Sequence, residues 1–240
     1  MNNEKISTIV ARNNNVQASR PLSRQNCGNH VVLDGRQAVA FFIGGAGDKE
    51  SYYFSGPFKN IEEAMDSFDP KLLDLSRTSS YLSFYLGYNE VRGYENIKNN
   101  VISKIPSNAC SIYIVGHSLG GWNGAHLSEI LSRKNYKVEM LITLDPVGEG
   151  VFVWMGSNIH REKPKPKSKF WINVLAEPTA PDSSDTVAEF GERWIISGGP
   201  NINHTANMNH YNARGLFLCP LGGGKTAADI MHDSIRSAVS

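Results

Sequence analysis

The feature that most restricts the fold is the alternation of short apolar runs with longer amphipathic stretches along the 240 residues. A short, nearly continuous apolar run ended by turn residues is typical of a strand that is buried on both faces of a sheet. We therefore predict six strands, at residues 37–45, 80–88, 110–116, 138–145, 169–176 and 192–199.

Amphipathic stretches separate several of these runs. Between Glu90 and Ile105 apolar residues recur every three or four positions, which predicts a helix, and a second helix is expected from Leu119 to about Lys134. Two helical stretches close the chain, the first capped by Thr205 and running through Phe217. This order predicts an α/β protein with a mostly parallel central sheet, helices on both faces and ligands at the carboxyl ends of the strands.

The length allows a single domain over residues 1–240, with residues 1–30 as an irregular polar segment. The net charge of +1 and the lack of basic runs mixed with aromatics give no reason to expect a nucleic-acid partner. Three cysteines without ligand spacing suggest neither disulfides nor a metal site, and no motif indicates a cofactor. The polar N-terminus favours synthesis in the cytoplasm without a signal peptide, and no apolar run is long enough to predict a transmembrane helix.

The string Gly116-His117-Ser118-Leu119-Gly120 matches the G-x-S-x-G pattern at the point where a predicted strand passes into a predicted helix. In such a strained turn, side chains two residues before and after the serine would collide with neighbouring backbone, so glycine is needed at both positions. The pattern in this context predicts Ser118 as a catalytic nucleophile.

A nucleophilic serine requires an acid and a base, which follow it in the order Ser, Asp or Glu, His on this kind of sheet. Asp145 ends the strand after the helix that follows Ser118, and we predict it as the acid. An Asp-Pro pair also begins many turns. Three acids after the next predicted strand therefore stay open as alternatives, namely Glu177, Asp182 and Asp185.

Two histidines are candidates for the base, because both lie between the last predicted strand and the end of the chain's penultimate helix. His204 falls on the loop that normally carries the base, whereas His210 would lie more than a turn inside the helix capped by Thr205. The sequence thus favours His204 and leaves His210 as the alternative.

The oxyanion formed in acyl transfer needs two backbone N–H donors. The glycine-rich loop after the first strand predicts Gly45 or Ala46 as one donor, and Leu119 at the start of the helix as the other.

The strings VGHSLGGW and LITLDPVG resemble lipases of the α/β-hydrolase fold, and the resemblance covers residues 111–147. It implies a lipase or phospholipase that acts on lipid esters. With its string FFIGGAGDKESYYFSGPF, the chain is also similar to bacterial lipase effectors that contact-dependent secretion systems, such as type VI-like systems, deliver as toxins. This second resemblance implies export by such a system, and a secretion-system component or an immunity protein as partner.

Residues 147–168 place an apolar cluster and then several lysines directly after Asp145. Such an insertion could act as a lid or as a contact with the membrane surface, and a solvated connector is the simpler interpretation. Two other functions stay open: an α/β-hydrolase fold that binds without catalysis, and an esterase or thioesterase for small soluble substrates.

Overall fold

A single six-stranded parallel sheet forms the centre of the computed structural model, which describes residues 36–51 and 56–240. The strand order is β2-β1-β3-β4-β5-β6. The strands are β1 Ala38–Gly44, β2 Tyr81–Gly87, β3 Ser111–His117, β4 Lys137–Leu144, β5 Phe170–Ala176 and β6 Ile202–Ala206. The segment 1–30 lies outside the described residues, so the single domain over residues 1–240 stays a prediction.

Eight helices of the described residues connect and cover the strands. They are α1 Asn60–Phe68, α2 Leu73–Arg77, α3 Tyr94–Asn100, α4 Leu119–Arg133, α5 Val151–Gly156, α6 Ser183–Phe190, α7 Ala213–Leu218 and α8 Ala227–Val239. Short 3-10 turns flank α3 at Tyr88–Val91 and Ile102–Lys104, so the helix predicted over residues 90–105 is shorter than expected.

Both faces of the sheet are buried, as the nearly continuous apolar runs predict. In β1, Ala38, Ala40 and Phe42 pack with residues of α1, α7 and α8 on one face. The residues between them, such as Phe41 and Ile43, pack with residues of α3 and α4 on the other. The predicted α/β class, with a parallel sheet and helices on both faces, is confirmed.

The last strand is not the one that the sequence predicts. Residues 192–199 form no strand, and only Arg193 makes an isolated antiparallel bridge, to Val147. Trp194 and Ile196 are nevertheless buried, because they pack in the apolar cluster on the α4 side of the sheet. The sixth strand is instead β6, which pairs with β5 and occupies the start of the predicted helix over residues 205–217.

Because every strand is parallel, all carboxyl ends lie along one edge of the sheet. Ser118 follows β3 directly, Asp145 follows β4, and the loop after β6 carries His210 before α7 begins at Ala213. The register pairs His117 with Leu144, which brings the ends of β3 and β4 side by side.

None of the helices that the structure describes is both long and apolar enough to cross a bilayer. Within residues 36–51 and 56–240, no group of three or more His, Cys, Asp or Glu side chains is arranged to hold a metal ion.

Candidate active site

Ser118 lies in a strained turn between β3 and α4. Its φ of 55° and ψ of −127° put a non-glycine residue in a rarely populated region, at a cost on the order of 1–3 kcal/mol. The turn is held by hydrogen bonds from the Ser118 N–H to the Leu144 carbonyl (3.1 Å) and from the Val147 N–H to the Ser118 carbonyl (3.2 Å). The neighbouring end of β4 therefore fixes the direction in which the serine side chain points.

The two glycines of the motif allow this turn to form. A Cβ at Gly116 would lie 2.4 Å from the Gly120 carbonyl oxygen, and a Cβ at Gly120 would lie 2.2 Å from the Ile43 carbonyl oxygen. Backbone atoms are the obstacle in both cases, so a side chain at either position would push the Ser118 turn away from the sheet.

Three side chains at the carboxyl edge form a continuous chain of hydrogen bonds. The Ser118 hydroxyl lies 3.0 Å from His210 Nε2, and His210 Nδ1 lies 2.6 Å from Asp145 Oδ2. An ionised Asp145 can only accept, so Nδ1–H donates to it and Nε2 is left as an acceptor for the serine proton. An imidazole in this tautomer can take up that proton when the oxygen attacks.

His204, the favoured base, does not have this position. It lies within β6, where its register partner is Val174 of β5, and no hydrogen bond joins it to Ser118. The correction follows from the shift of the last strand, because the loop between the last strand and the next helix holds His210 rather than His204. The alternative base is the one that the structure brings to Ser118.

Asp145 is fully buried, and its φ of 41° is also unusual for a residue with a side chain. Burial opposes ionisation of this carboxyl, but the hydrogen bond from His210 and the contact with Arg193 outweigh burial and hold its pKa below the ordinary value. The Ala176 N–H also donates to Oδ1, at 3.2 Å. Asp145 is thus an anion fixed against the imidazole, as the prediction for the acid requires.

The alternative acids make no hydrogen bond to the His210 ring. Glu177 lies at the exposed end of β5, and Asp182 is an exposed N-cap of α6. Asp185 is buried and accepts the backbone N–H of His210 at 3.0 Å.

His117, the variable residue of the motif, contacts the proposed base from the other side. Its Nε2–H donates to the His210 carbonyl at 2.7 Å, and the two ring centroids lie 4.7 Å apart. Complete burial and the neighbouring His210 lower the pKa of His117 to about 3, so the ring is neutral. The His210 backbone is thus held on both sides, at its carbonyl by His117 and at its N–H by Asp185. The sequence contains no signal for this contact of His117.

The buried His117 predicts a loss of stability in mild acid. Below its ordinary pKa of 6.5 the unfolded chain binds a proton that the folded chain does not, until the pH approaches 3. The free energy of unfolding should fall by up to about 1.4 kcal/mol per pH unit in this window on account of this residue alone. In a His117→Gln variant, which keeps a donor but does not titrate, urea unfolding between pH 6.5 and 4 should show a shallower slope.

His232→Gln on α8, outside the core, is the matched control for this measurement. Equal slopes for the wild type and the His117 variant would show that His117 gains its proton without unfolding.

Two loops surround the Ser118 side chain. A Cβ at Gly45 would lie 2.6 Å from the Ser118 Cβ, so the backbone after β1 lies directly against the serine. Ala46 and Leu119 line the same cavity as Ser118, and Leu119 is the first residue of α4, where N–H groups have no partner within the helix. The residues predicted for the oxyanion hole therefore adjoin the hydroxyl.

Asp48, a carboxylate close to this loop, points away from the serine. It is buried beneath Gly44 and accepts the N–H groups of Asn60 and Ile61 at the start of α1. Burial raises its pKa to about 6, against the lowering effect of these backbone donors.

Ser118 and His210 open into a cavity of about 380 Å³. Apart from these two residues, its wall is almost entirely apolar or glycine and comes mainly from the segment after β4 and from α6, through Val147, Phe152, Val153, Val187, Ala188 and Phe190. Phe152 of α5 and Phe190 of α6 are each about two-thirds exposed, and their rings stack with centroids 6.1 Å apart. The first part of segment 147–168 thus borders the cavity, with α5 only six residues long, and a role of the segment as a lid stays a prediction.

The fold follows from the strand order together with the positions of three residues at its carboxyl edge. A strained serine follows β3, an acid follows β4, and a histidine follows β6. The chain has the α/β-hydrolase fold. No family model matches the chain, and no curated protein matches it either. It is similar to the solved structure of YbtT, a type II thioesterase from the yersiniabactin NRPS/PKS biosynthetic pathway, with 9% identity, a TM-score of 0.45, and coverage of 86% of this chain and 96% of that one.

A second solved structure is EstE1, a thermophilic and thermostable carboxylesterase cloned from a metagenomic library. The identity is 14%, the TM-score is 0.40, and the alignment covers 86% of this chain and 81% of that one. At these TM-scores, neither similarity bears on the reaction of the present chain.

Proposed function

We propose that this protein is a serine hydrolase that cleaves carboxylic esters of lipids. The observation that carries the hydrolase part is the chain of hydrogen bonds from Ser118 through His210 to Asp145, with distances of 3.0 and 2.6 Å. The residues are contributed by three different loops, and the strained backbone at Ser118 is difficult to explain without a role for its side chain.

The reaction would proceed in two acyl-transfer steps. Ser118 Oγ attacks the ester carbonyl carbon and gives its proton to His210 Nε2, while the N–H groups of Leu119 and of Gly45 or Ala46 stabilise the oxyanion. When the tetrahedral intermediate collapses, the C–O bond to the alcohol breaks, and His210 returns the proton to that alcohol. Water then attacks the acyl-enzyme in the same way and releases the carboxylic acid.

The apolar cavity and its rim support a lipid as the substrate. A volume of about 380 Å³ is within the usual range for small-molecule sites, and apolar side chains next to Ser118 suit an acyl chain better than a charged group. Around the mouth, Phe152, Val187 and Phe190 expose between 66% and 69% of their surface. Contiguous exposed apolar residues of this kind are typical of a binding surface.

A run of basic residues that begins beside this rim favours a membrane surface as the source of the lipid. Lysines recur at every second position after α5, at 163, 165, 167 and 169, and all four are exposed. The run leads away from the rim, because Lys169 pairs with Glu139 near the amino end of β4. Lys163 pairs with Glu149 at 2.6 Å, just before α5 begins. Exposed lysines near an apolar surface attract anionic lipid headgroups.

Product analysis tests this proposal directly. The protein is incubated with vesicles that contain phosphatidylcholine, phosphatidylglycerol and triacylglycerol, and products are identified by mass, with 4-nitrophenyl butyrate as a soluble ester. We expect fatty acid release from at least one lipid. If only the soluble ester is cleaved, the lipid part is wrong. If no ester is cleaved and a fluorophosphonate fails to label Ser118, the fold serves binding rather than catalysis.

Removing the aromatic pair at the mouth should separate lipid from soluble substrate. In a Phe152→Ser/Phe190→Ser variant we expect lipid hydrolysis to fall about tenfold, because two large apolar contacts with the lipid are lost. Hydrolysis of the soluble butyrate should change less than about threefold, since both rings are about two-thirds exposed at the rim and a four-carbon acyl chain is short. The matched control is Leu73→Ser, an exposed apolar residue of α2, which precedes the amino end of β2. Equal losses on both substrates would contradict an interfacial role for the rim.

A further inference from the structure

Arg193 connects two buried carboxylates behind the histidine. Its Nε–H donates to Asp145 Oδ2 at 2.9 Å, the same oxygen that accepts His210 Nδ1–H. Its Nη2–H donates to Asp185 Oδ1 at 2.8 Å. The side chain is only 13% exposed, so these contacts are poorly screened by water. The guanidinium therefore competes with the imidazole for the charge of Asp145.

Asp185 holds both the arginine and the backbone of the histidine. Oδ1 accepts from Arg193 and from the His210 N–H at 3.0 Å. Oδ2 accepts from the Asp182 N–H at 3.0 Å and from Asn209 Nδ2 at 2.8 Å. Burial opposes its ionisation, but these donors hold its pKa below the ordinary value, so that it remains an anion at neutral pH.

We propose that Arg193 and Asp185 are positioning residues that set the charge around His210 and so determine the pH at which it begins to act as a base. With Asp145, they form a buried cluster of two anions and one cation, which carries one net negative charge. That negative charge stabilises the imidazolium formed when Ser118 attacks, and the positive charge of Arg193 reduces the size of this stabilisation. The inference rests on the proposed serine hydrolysis and extends it to a second pair of residues.

Few other charged groups can produce the same effect. The His210 ring faces Asp145, Ser118 and His117, and His117 is neutral above a pKa of about 3. From α6, Asp182 is exposed and caps its own helix. Glu189 reaches Arg193 Nη1 at 3.8 Å, but it is 69% exposed and screened by solvent.

Charge-changing variants test this inference by opposite shifts. Arg193→Gln removes the cation, so the imidazole stays protonated to higher pH, and the acidic limb of kcat/KM should move up by about one pH unit. Asp185→Asn removes an anion and should move the limb down by a similar amount. A purely structural role would lower activity in both variants without moving the limb in opposite directions. The readouts are 4-nitrophenyl butyrate hydrolysis and the rate of fluorophosphonate labelling at Ser118, both from pH 5 to 9.

Three further variants complete the design. The double variant Arg193→Gln/Asp185→Asn restores one net negative charge, so the acidic limb of its profile should return to the wild-type position. If Arg193→Gln alone unfolds because two buried carboxylates have lost their cation, the double variant avoids that problem. Arg193→Lys keeps the charge but lacks the planar fork, so its limb should stay in place while kcat falls. Glu189→Gln is the matched control on the same guanidinium and should leave the profile unchanged.

The outcomes separate this inference from the proposed function. Opposite shifts that cancel in the double variant support it. If Ser118 is labelled in all variants but the limb stays in place or moves in one direction only, the inference is overturned. An unlabelled wild type would contradict the proposed function itself, and the inference with it.

Discussion

Replacing Ser118 with alanine should lower kcat for ester hydrolysis by at least about 10⁴-fold, because residues of a Ser-His-Asp triad act as a unit. The Ser118 hydroxyl lies 3.0 Å from His210 Nε2, and within the described residues it is the hydrogen-bond partner of that nitrogen. Alanine keeps the backbone angles of the turn, so the free energy of unfolding should change by less than about 1 kcal/mol. Hydrolysis rates and urea unfolding of the two proteins measure both effects.

Ser132→Ala is the matched control for Ser118→Ala, since Ser132 lies near the far end of the same helix, α4. It should retain full activity. A fluorophosphonate should add mass at residue 118 of the wild type and of the control, and leave the Ser118→Ala protein unmodified. If Ser118→Ala keeps a tenth of the wild-type rate, another residue is the nucleophile.

Much of the sheet is predictable from sequence because parallel strands are buried on both faces. In β1, β3 and β4 nearly every residue is buried, and each is a largely apolar run, interrupted in β4 by Glu139. The Ser118 turn is predictable for a related reason. Glycines at positions such as Gly116 and Gly120 are needed wherever a serine turn packs this tightly against backbone. Ser118 and Asp145 directly follow such strands, so the sequence also predicts that both lie at the carboxyl edge of the sheet.

The last strand differs from the predicted one because burial and strand pairing are different properties. Residues 192–199 are apolar since Trp194 and Ile196 pack against α4 and β5, yet they pair with no neighbouring strand beyond one bridge. β6 is an edge strand with a mostly polar sequence, INHTA, in which only Ala206 is buried. An edge strand has one paired side and need not be apolar. The pattern of β6 therefore resembles that of a loop, and the sequence favours His204 as a residue of that loop.

The contacts behind His210 are not predictable, because they join Arg193 to Asp145, 48 positions away, and Asp185 to the His210 backbone, 25 positions away, with no pattern in the sequence that links these residues. Arg193 directly precedes the apolar run that begins at Trp194, but nothing in that position distinguishes a buried arginine from a solvated one. Delivery by a secretion system and an immunity partner remain predictions from resemblance.

Replacing His210 or His204 separately with alanine should have very different effects on activity. His210→Ala should lower kcat by about 10⁴-fold or more, because it removes the group that takes the serine proton and holds the Asp145 contact. His204→Ala should stay within about threefold of the wild type, since His204 is a β6 residue paired in register with Val174. Both variants are assayed with 4-nitrophenyl butyrate, and their far-UV circular dichroism is compared.

A chemical rescue distinguishes a lost base from a damaged loop. In His210→Gly the imidazole is removed beside a cavity of about 380 Å³, which has room for a free imidazole molecule. The backbone contacts of residue 210 with Asp185 and His117 use main-chain atoms and survive this change. Added imidazole should therefore restore part of the activity of His210→Gly and none of the activity of Ser118→Ala. If His204→Ala loses activity as severely as His210→Ala, then β6 must move to reach the serine, and the hydrogen-bonded arrangement would be a resting state rather than the reacting one.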